Sequence, residues 1–349
     1  MANDSAMASP EKAPVLSATE AKLYDRQLRL WGISAQAALM QSKVAVVQLT
    51  AMHVECLKNT ILAGVGQVTI IDPEPVTMYD LGFNYFLREE DVGKPKGPAA
   101  ATRLQQLNPH VKVVCEDELK EDGHSVVIVP LSYKNYSVST LIELDQKCRK
   151  NSASFFVTCG AGHDAWFFHQ GGEYTVKEFT PKPGDNDPKP LDPVDVKFSS
   201  LEECVQADLS KCTLRKRPAA CIMFMLLLKF RAAHPPTNNS TDDQVKFATF
   251  AADLVKTLPA KNQAELTNDK LQTFFCHSLH EPLVVTASCV SGTMAQEVMK
   301  SVTKRDVPWN NTVTFTGSMM QELMVPYIEP PKPKVEAAPM IDEEGDLTM

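Results

Sequence analysis

The chain has 349 residues, 44% of them hydrophobic and 22% charged, with a formal net charge of −8. This is enough for one large core or two modest ones. The acidic balance, the lack of any apolar run long enough to span a bilayer and the lack of an opening secretory signal predict that neither nucleic acid nor membrane is a partner.

In chain order, residues 1 to about 18 are polar and aperiodic and read as a disordered tail. A helix is expected over 34–41, then a buried strand over 43–49 (KVAVVQL) and a helix over 52–63. Gly64 and Gly66 follow it, where a glycine stop belongs. A strand over 67–72, a helix over 97–107, strands over 111–115 and 125–130, a helix over 137–150 and a strand over 154–159 complete the first half. This alternation predicts an α/β fold: a mainly parallel central sheet with helices on both faces.

Beyond Gly160 the character changes. Residues 167–179 read as a hairpin turning at Gly171-Gly172. Residues 181–193 read as a loop within a variable region near 181–216. Helices are expected over 217–233, 242–257, 264–276 and 284–303, the last as buried packing. Strands over 312–316 and 323–328 flank a turn at Gly317. Residues 329–349, led by prolines and ending acidic, read as a second disordered tail. One domain over 19–328 is therefore expected. Nine cysteines are scattered without a CxxC pair or clustered histidines. They predict reduced thiols in the cytosol or nucleus and no metal site.

The turn between the first strand and its helix carries the most information. A nucleotide-binding chain would carry GxGxxG there, so that bare backbone can touch phosphate. This chain has Gln48-Leu49-Thr50-Ala51-Met52-His53. The scaffold is present and the glycine cradle is not.

Several segments together resemble the ubiquitin-like-protein activating enzymes. Tyr24 to Gly32 (YDRQLRLWG), Asp91-Val92-Gly93-Lys94-Pro95-Lys96 (DVGKxK), Leu107-Asn108-Pro109, and Ala295 to Lys300 (AQEVxK) followed by Pro308-Trp309-Asn310-Asn311 occur in the family's order. The resemblance spans about residues 20–328 and implies a Rossmann-like, ThiF/MoeB-type adenylation domain. The motif detail around 61–65 and 226–231 is most similar to the small subunits of SUMO-activating enzymes, which have no catalytic-cysteine domain. The regulatory subunits of neddylation-activating enzymes are the alternative, but they carry a large insertion that is not found here.

The resemblance implies roles residue by residue. Asp72, at the end of the second strand, stands where a ribose carboxylate belongs; alone such a residue is more often a strand-end cap than a ligand. The Asn-and-Arg segment of an active site corresponds to Asp80–Phe86, where the arginine is missing. The magnesium aspartate after the fourth strand is replaced by Pro130-Leu131-Ser132-Tyr133. Lys94 and Lys96 then read as solvated or structural, and Leu30 and Trp31 as core or interface. Cys212-Thr213 is similar to a thioester site, but no cysteine domain surrounds it and no histidine is near in sequence. Arg26 is implied to act in trans on the ATP phosphates of a partner, against the plainer reading of a surface ion pair; Arg29 reads as an interface or structural residue.

The expected function is that of a non-catalytic subunit, or failing that a pure scaffold. It would hold no cofactor, with ATP and Mg²⁺ in a larger catalytic partner that adenylates SUMO, forms the thioester and passes it to a conjugating enzyme. The nucleus and cytoplasm are the expected location.

Overall fold

The computed structural model describes residues 16–120, 122–131, 136–176, 194–211, 219–235, 240–309, 311–316 and 325–326. Ser17 opens the first helix, α1 (Ala18–Leu23), with a capping box: its hydroxyl accepts from the Glu20 amide and the Glu20 carboxylate accepts from its own amide. Helix α2 (Asp25–Gln41) follows directly and is kinked at Gly32, whose φ of +82° no other residue adopts cheaply. It therefore begins earlier than its apolar pattern over 34–41 predicts, because its first segment is mostly exposed.

Strands β1 (Lys43–Val47), β2 (Gln67–Ile71), β3 (Lys112–Cys115), β4 (Val126–Pro130) and β5 (Ser154–Ala161) pair in parallel in the order β3-β2-β1-β4-β5. Helices α3 (Ala51–Ala63), α4 (Lys96–Gln105) and α5 (Val138–Lys150) connect them. Beyond β5 the sheet continues antiparallel through β6 (Asp164–Gln170), β9 (Asn311–Thr316) and β10 (Val325–Pro326). A separate ribbon pairs β7 (Glu173–Val176) with β8 (Val194–Lys197).

The expected hairpin over 167–179 is corrected by this pairing. The chain does turn at Gly171-Gly172, but β6 pairs with β5 and β9, and β7 pairs with β8. The true hairpin turn lies at Gly162-His163, between β5 and β6.

The remaining helices are α6 (Leu201–Gln206), α7 (Ala219–Ala233), α8 (Ser240–Val255), α9 (Ala260–Glu265), α10 (Asn268–Ser278) and α11 (Val284–Thr303). Alternate residues of β1 show how the sheet is covered. Ala45 and Val47 join a core with α5, α7, α8 and α10, whereas Val44 and Val46 join one with α2, α3, α4 and α11. Along α11, Ala287, Val290, Met294 and Val298 are buried as the periodicity predicts. Val284 and Val285 are not: they sit exposed in its first turn, 43% and 74% accessible.

Candidate functional site

The carboxyl ends of the parallel strands are where an open α/β sheet places a ligand. Here β1 leads through Gln48, Leu49 and Thr50 into α3. Gln48 keeps φ +62°, a left-handed conformation natural to glycine and costly to glutamine. Two contacts hold it: its N–H donates to the Ile71 carbonyl at 2.8 Å, and its carbonyl accepts from His53 Nδ1 at 2.6 Å. That bond fixes the neutral His53 tautomer, whose Nε2 accepts from the Thr158 hydroxyl at 2.8 Å. His53 thus fills the close helix–strand approach that the motif's third glycine keeps open. Burial pushes its pKa down to about 4.

The amides of Leu49, Ala51 and His53, at the place where a phosphate would sit, already have partners. Leu49 N–H donates to Asp72 Oδ2 at 2.7 Å. Thr50 caps α3 by accepting from His53 N–H at 3.2 Å. Ala51 N–H, at the positive end of α3, donates to Glu281 Oε2 at 2.9 Å. Glu281 arrives from the α10–α11 connection, where its own N–H donates to Tyr79 Oη at 2.9 Å. Burial raises its pKa to about 7, against the opposing effects of the Ala51 amide and Lys96.

Lys96, from the DVGKxK segment, is neutralised inside the chain. Its side chain is only 8% exposed, with Nζ 2.7 Å from Asp80 Oδ1 and 3.9 Å from Asp72 Oδ2. Asp72 is fully covered, and burial raises its pKa. Asp80 is also buried, yet bonds from Lys96 and Thr77 lower its pKa. Lys94 is exposed and pairs with Asp91 at 3.3 Å.

A cavity of about 330 Å³ remains above this network, lined among others by Thr50, Glu74, Tyr79, Asp80, Lys96 and Glu281. A triphosphate does not fit these groups. It would have to displace two carboxylates from the loop amides and meet side chains where glycines leave backbone bare. A larger depression of about 600 Å³ lies around Arg88, Lys94 and Arg103. Those cations are already bonded to Asp91, Glu90 or backbone carbonyls. Among the described residues no cluster of His, Cys, Asp and Glu could hold a metal ion.

Arg26 stands elsewhere. It is exposed in the first turn of α2, does not line the cavity and forms no hydrogen bond or ion pair among the described residues. The ion pair expected as its plainer role belongs instead to Arg29, which meets Asp25 at 3.0 Å. Leu23, Leu30 and Ile33 around it are each more than half exposed. Trp31 is half-buried, its indole donating to Gln36 Oε1 at 3.1 Å.

The other motif residues are tied to one another. Glu297 accepts from the Trp309 amide and from Lys300, each at 2.7 Å, joining AQEVxK to the Pro-Trp segment. Glu281 and His53 have no sequence signal as site residues: the glycine gap announces that something fills the loop, not what. Cys212, Ser132 and Tyr133 lie outside the described residues.

A mainly parallel sheet, covered on both faces and carrying a loop-and-helix cavity at its strand ends, defines an open, Rossmann-like α/β domain. The ThiF family matches residues 24–337, and the chain belongs to that family. Over 329 residues it is 30% identical to SUMO-activating enzyme subunit 1 of Homo sapiens, covering 86% of this chain and 93% of that protein. It is 29% identical over 332 residues to SUMO-activating enzyme subunit 1 of Dictyostelium discoideum, covering 89% and 97%. Among solved structures, E. coli MccB crystallised with MccA-N7isoASN superposes with a TM-score of 0.51 at 12% identity, covering 88% of this chain and 71% of that one. The crystal structure of PaaA gives 0.50 at 15% identity, covering 92% and 76%. These structural likenesses show the fold alone.

Proposed function

We propose that the chain is the non-catalytic subunit of a heterodimeric SUMO-activating enzyme. A larger subunit binds ATP and Mg²⁺, adenylates the carboxyl terminus of SUMO, carries the thioester and delivers the modifier to a conjugating enzyme. The name "subunit 1" borne by the relatives supports the existence of that second subunit. Nuclear and cytoplasmic residence belongs to the same proposal.

One observation carries the reading: among the described residues, the one lysine lining the cavity is spent on internal carboxylates, while an intact family nonamer presents Arg26 exposed and without an ion pair. As the modifier's carboxylate attacks the α-phosphate and pyrophosphate leaves, a guanidinium supplied by a neighbouring subunit neutralises developing charge. The exposed Leu23, Leu30 and Ile33 around Arg26 fit an apolar interface. An obligate interface of this kind covers on the order of 2,000–5,000 Å². On this reading Asp72 staples the loop and holds no ribose.

The test is ATP–pyrophosphate exchange with SUMO, by the purified chain alone and by the chain mixed with a larger activating subunit. Exchange is expected only from the mixture, with both chains in one elution peak. Robust exchange by the isolated chain would overturn the proposal.

A further inference from the structure

The segment bearing Arg26 is held at both ends by the same turn of the protein. Tyr24, between α1 and α2, is only 1% exposed although Leu23, Asp25 and Arg26 beside it face solvent. Its ring lies on Gly64, the left-handed C-cap of α3, where an added Cβ would stand 2.6 Å from the ring. Its hydroxyl oxygen accepts from Asn108 Nδ2 at 2.9 Å, and the same amide donates to the Ile61 carbonyl at 3.0 Å. Asn108 Oδ1 is used as well, accepting from His110 N–H at 3.1 Å. At the other end of the segment, Gln36 takes the Trp31 indole and donates to the Ala63 carbonyl at 3.0 Å. Arg305 donates to the Trp31 carbonyl.

We propose that Tyr24 and Asn108 are positioning residues for Arg26, fixing its stretch of backbone against the last turn of α3 so that the guanidinium is delivered in register to the partner's site. This inference rests on the trans role of Arg26 proposed above. Arginine is long and rotamer-rich, so its reach into another subunit is productive only if its Cα is fixed. Asn108 lies 84 positions from Tyr24 in sequence, yet its carboxamide nitrogen donates to both sides of this junction, Tyr24 and the α3 carbonyl of Ile61, while its oxygen steadies its own loop at His110. Neither residue lines the cavity. Their removal therefore reaches the chemistry through Arg26.

The experiment is pyrophosphate exchange by the reconstituted pair carrying Tyr24→Phe, Asn108→Ala, Arg26→Ala and each combination with Arg26→Ala. Asn108→Ala should slow exchange at saturating modifier by about 3- to 30-fold, below the roughly hundredfold that misplacing a reactive group by 1 Å can cost. Tyr24→Phe, which keeps the ring and removes one acceptor, should act in the same direction and less. The modifier KM and the elution volume of the pair should not move. Neither substitution should slow the pair further once Arg26 is alanine.

Wild-type rates in both single variants would overturn the inference, as would an equal fractional loss with and without Arg26. If Asn108→Ala prevents pairing, Tyr24→Phe decides. If Arg26→Ala costs nothing, the trans role and this inference fall together. If Arg26→Ala is slow and both anchor variants are fast, only this inference falls.

Discussion

The cavity at the strand ends and the Arg26 segment carry motifs of the same family and have opposite fates. At the cavity three groups that could meet a phosphate are spent at home: Leu49 N–H on Asp72, Ala51 N–H on Glu281, Lys96 on Asp80. On the Arg26 segment the backbone is tied down at both ends and the charged side chain is left open. On the proposed reading, the difference teaches how a fold can shed one function and keep another. Internal carboxylates can satisfy a phosphate loop, whereas a fixed backbone under an arginine unpaired among the described residues serves, on that reading, another molecule.

The comparison can be broken first at Lys96. If it is the internal counter-charge described here, Lys96→Ala leaves Asp80 and Asp72 buried without their counter-charge, held by hydrogen bonds from Thr77 and Leu49. It should cost about 3–5 kcal/mol, as breaking a buried pair does, seen as a lower urea midpoint. A loss within about 0.5 kcal/mol, typical of surface substitutions, would show the lysine to be dispensable.

Glu281 gives the next effect. Its folded pKa of about 7 lies above the ordinary 4.5, so the folded chain holds its proton more tightly than the unfolded chain. That stabilisation is complete below pH 4.5 and is lost as pH rises through about 7, on the order of 3 kcal/mol in all. His53 works in the opposite sense below its ordinary 6.5, so the difference between wild type and Glu281→Gln is the useful quantity. The glutamine variant should gain on wild type between pH 5.5 and pH 8.5; parallel stability curves would show that the carboxylate is not in this network.

Gln48 gives the smallest effect and the most pointed sign. Replacing it with glycine should relieve the left-handed strain and raise stability by up to about 1 kcal/mol. A loss of that size would mean that the glutamine side chain, not the inherited backbone, holds the turn.

Much of the fold was legible in the sequence. Four of the five parallel strands are buried apolar runs, β3 lying half-exposed at the edge, and their neighbours are set by right-handed crossovers; the Gly64 stop is local chemistry. The hairpin at Gly171-Gly172 was misread because β6 is claimed on both sides by strands distant in sequence or turned elsewhere, as in the pairing of His169 with Asn311. The empty glycine cradle and the candidate Arg26 were legible from motif positions. The identity of what fills the cradle was not, since Glu281 reaches Ala51 across 230 positions. The anchoring of Tyr24 by Asn108 was hidden for the same reason: both stood in the motifs, and no local pattern says that they touch.

The central claim is tested most directly by Arg26→Ala in the reconstituted pair, read as pyrophosphate exchange at saturating modifier beside the elution volume of the mixed subunits. Pairing should survive, and exchange should fall by about 10- to 1,000-fold, the range for losing one charge-stabilising donor; lysine should rescue only in part, lacking the planar fork of a guanidinium. Full exchange by a variant that still pairs would contradict the account and leave the chain a scaffold.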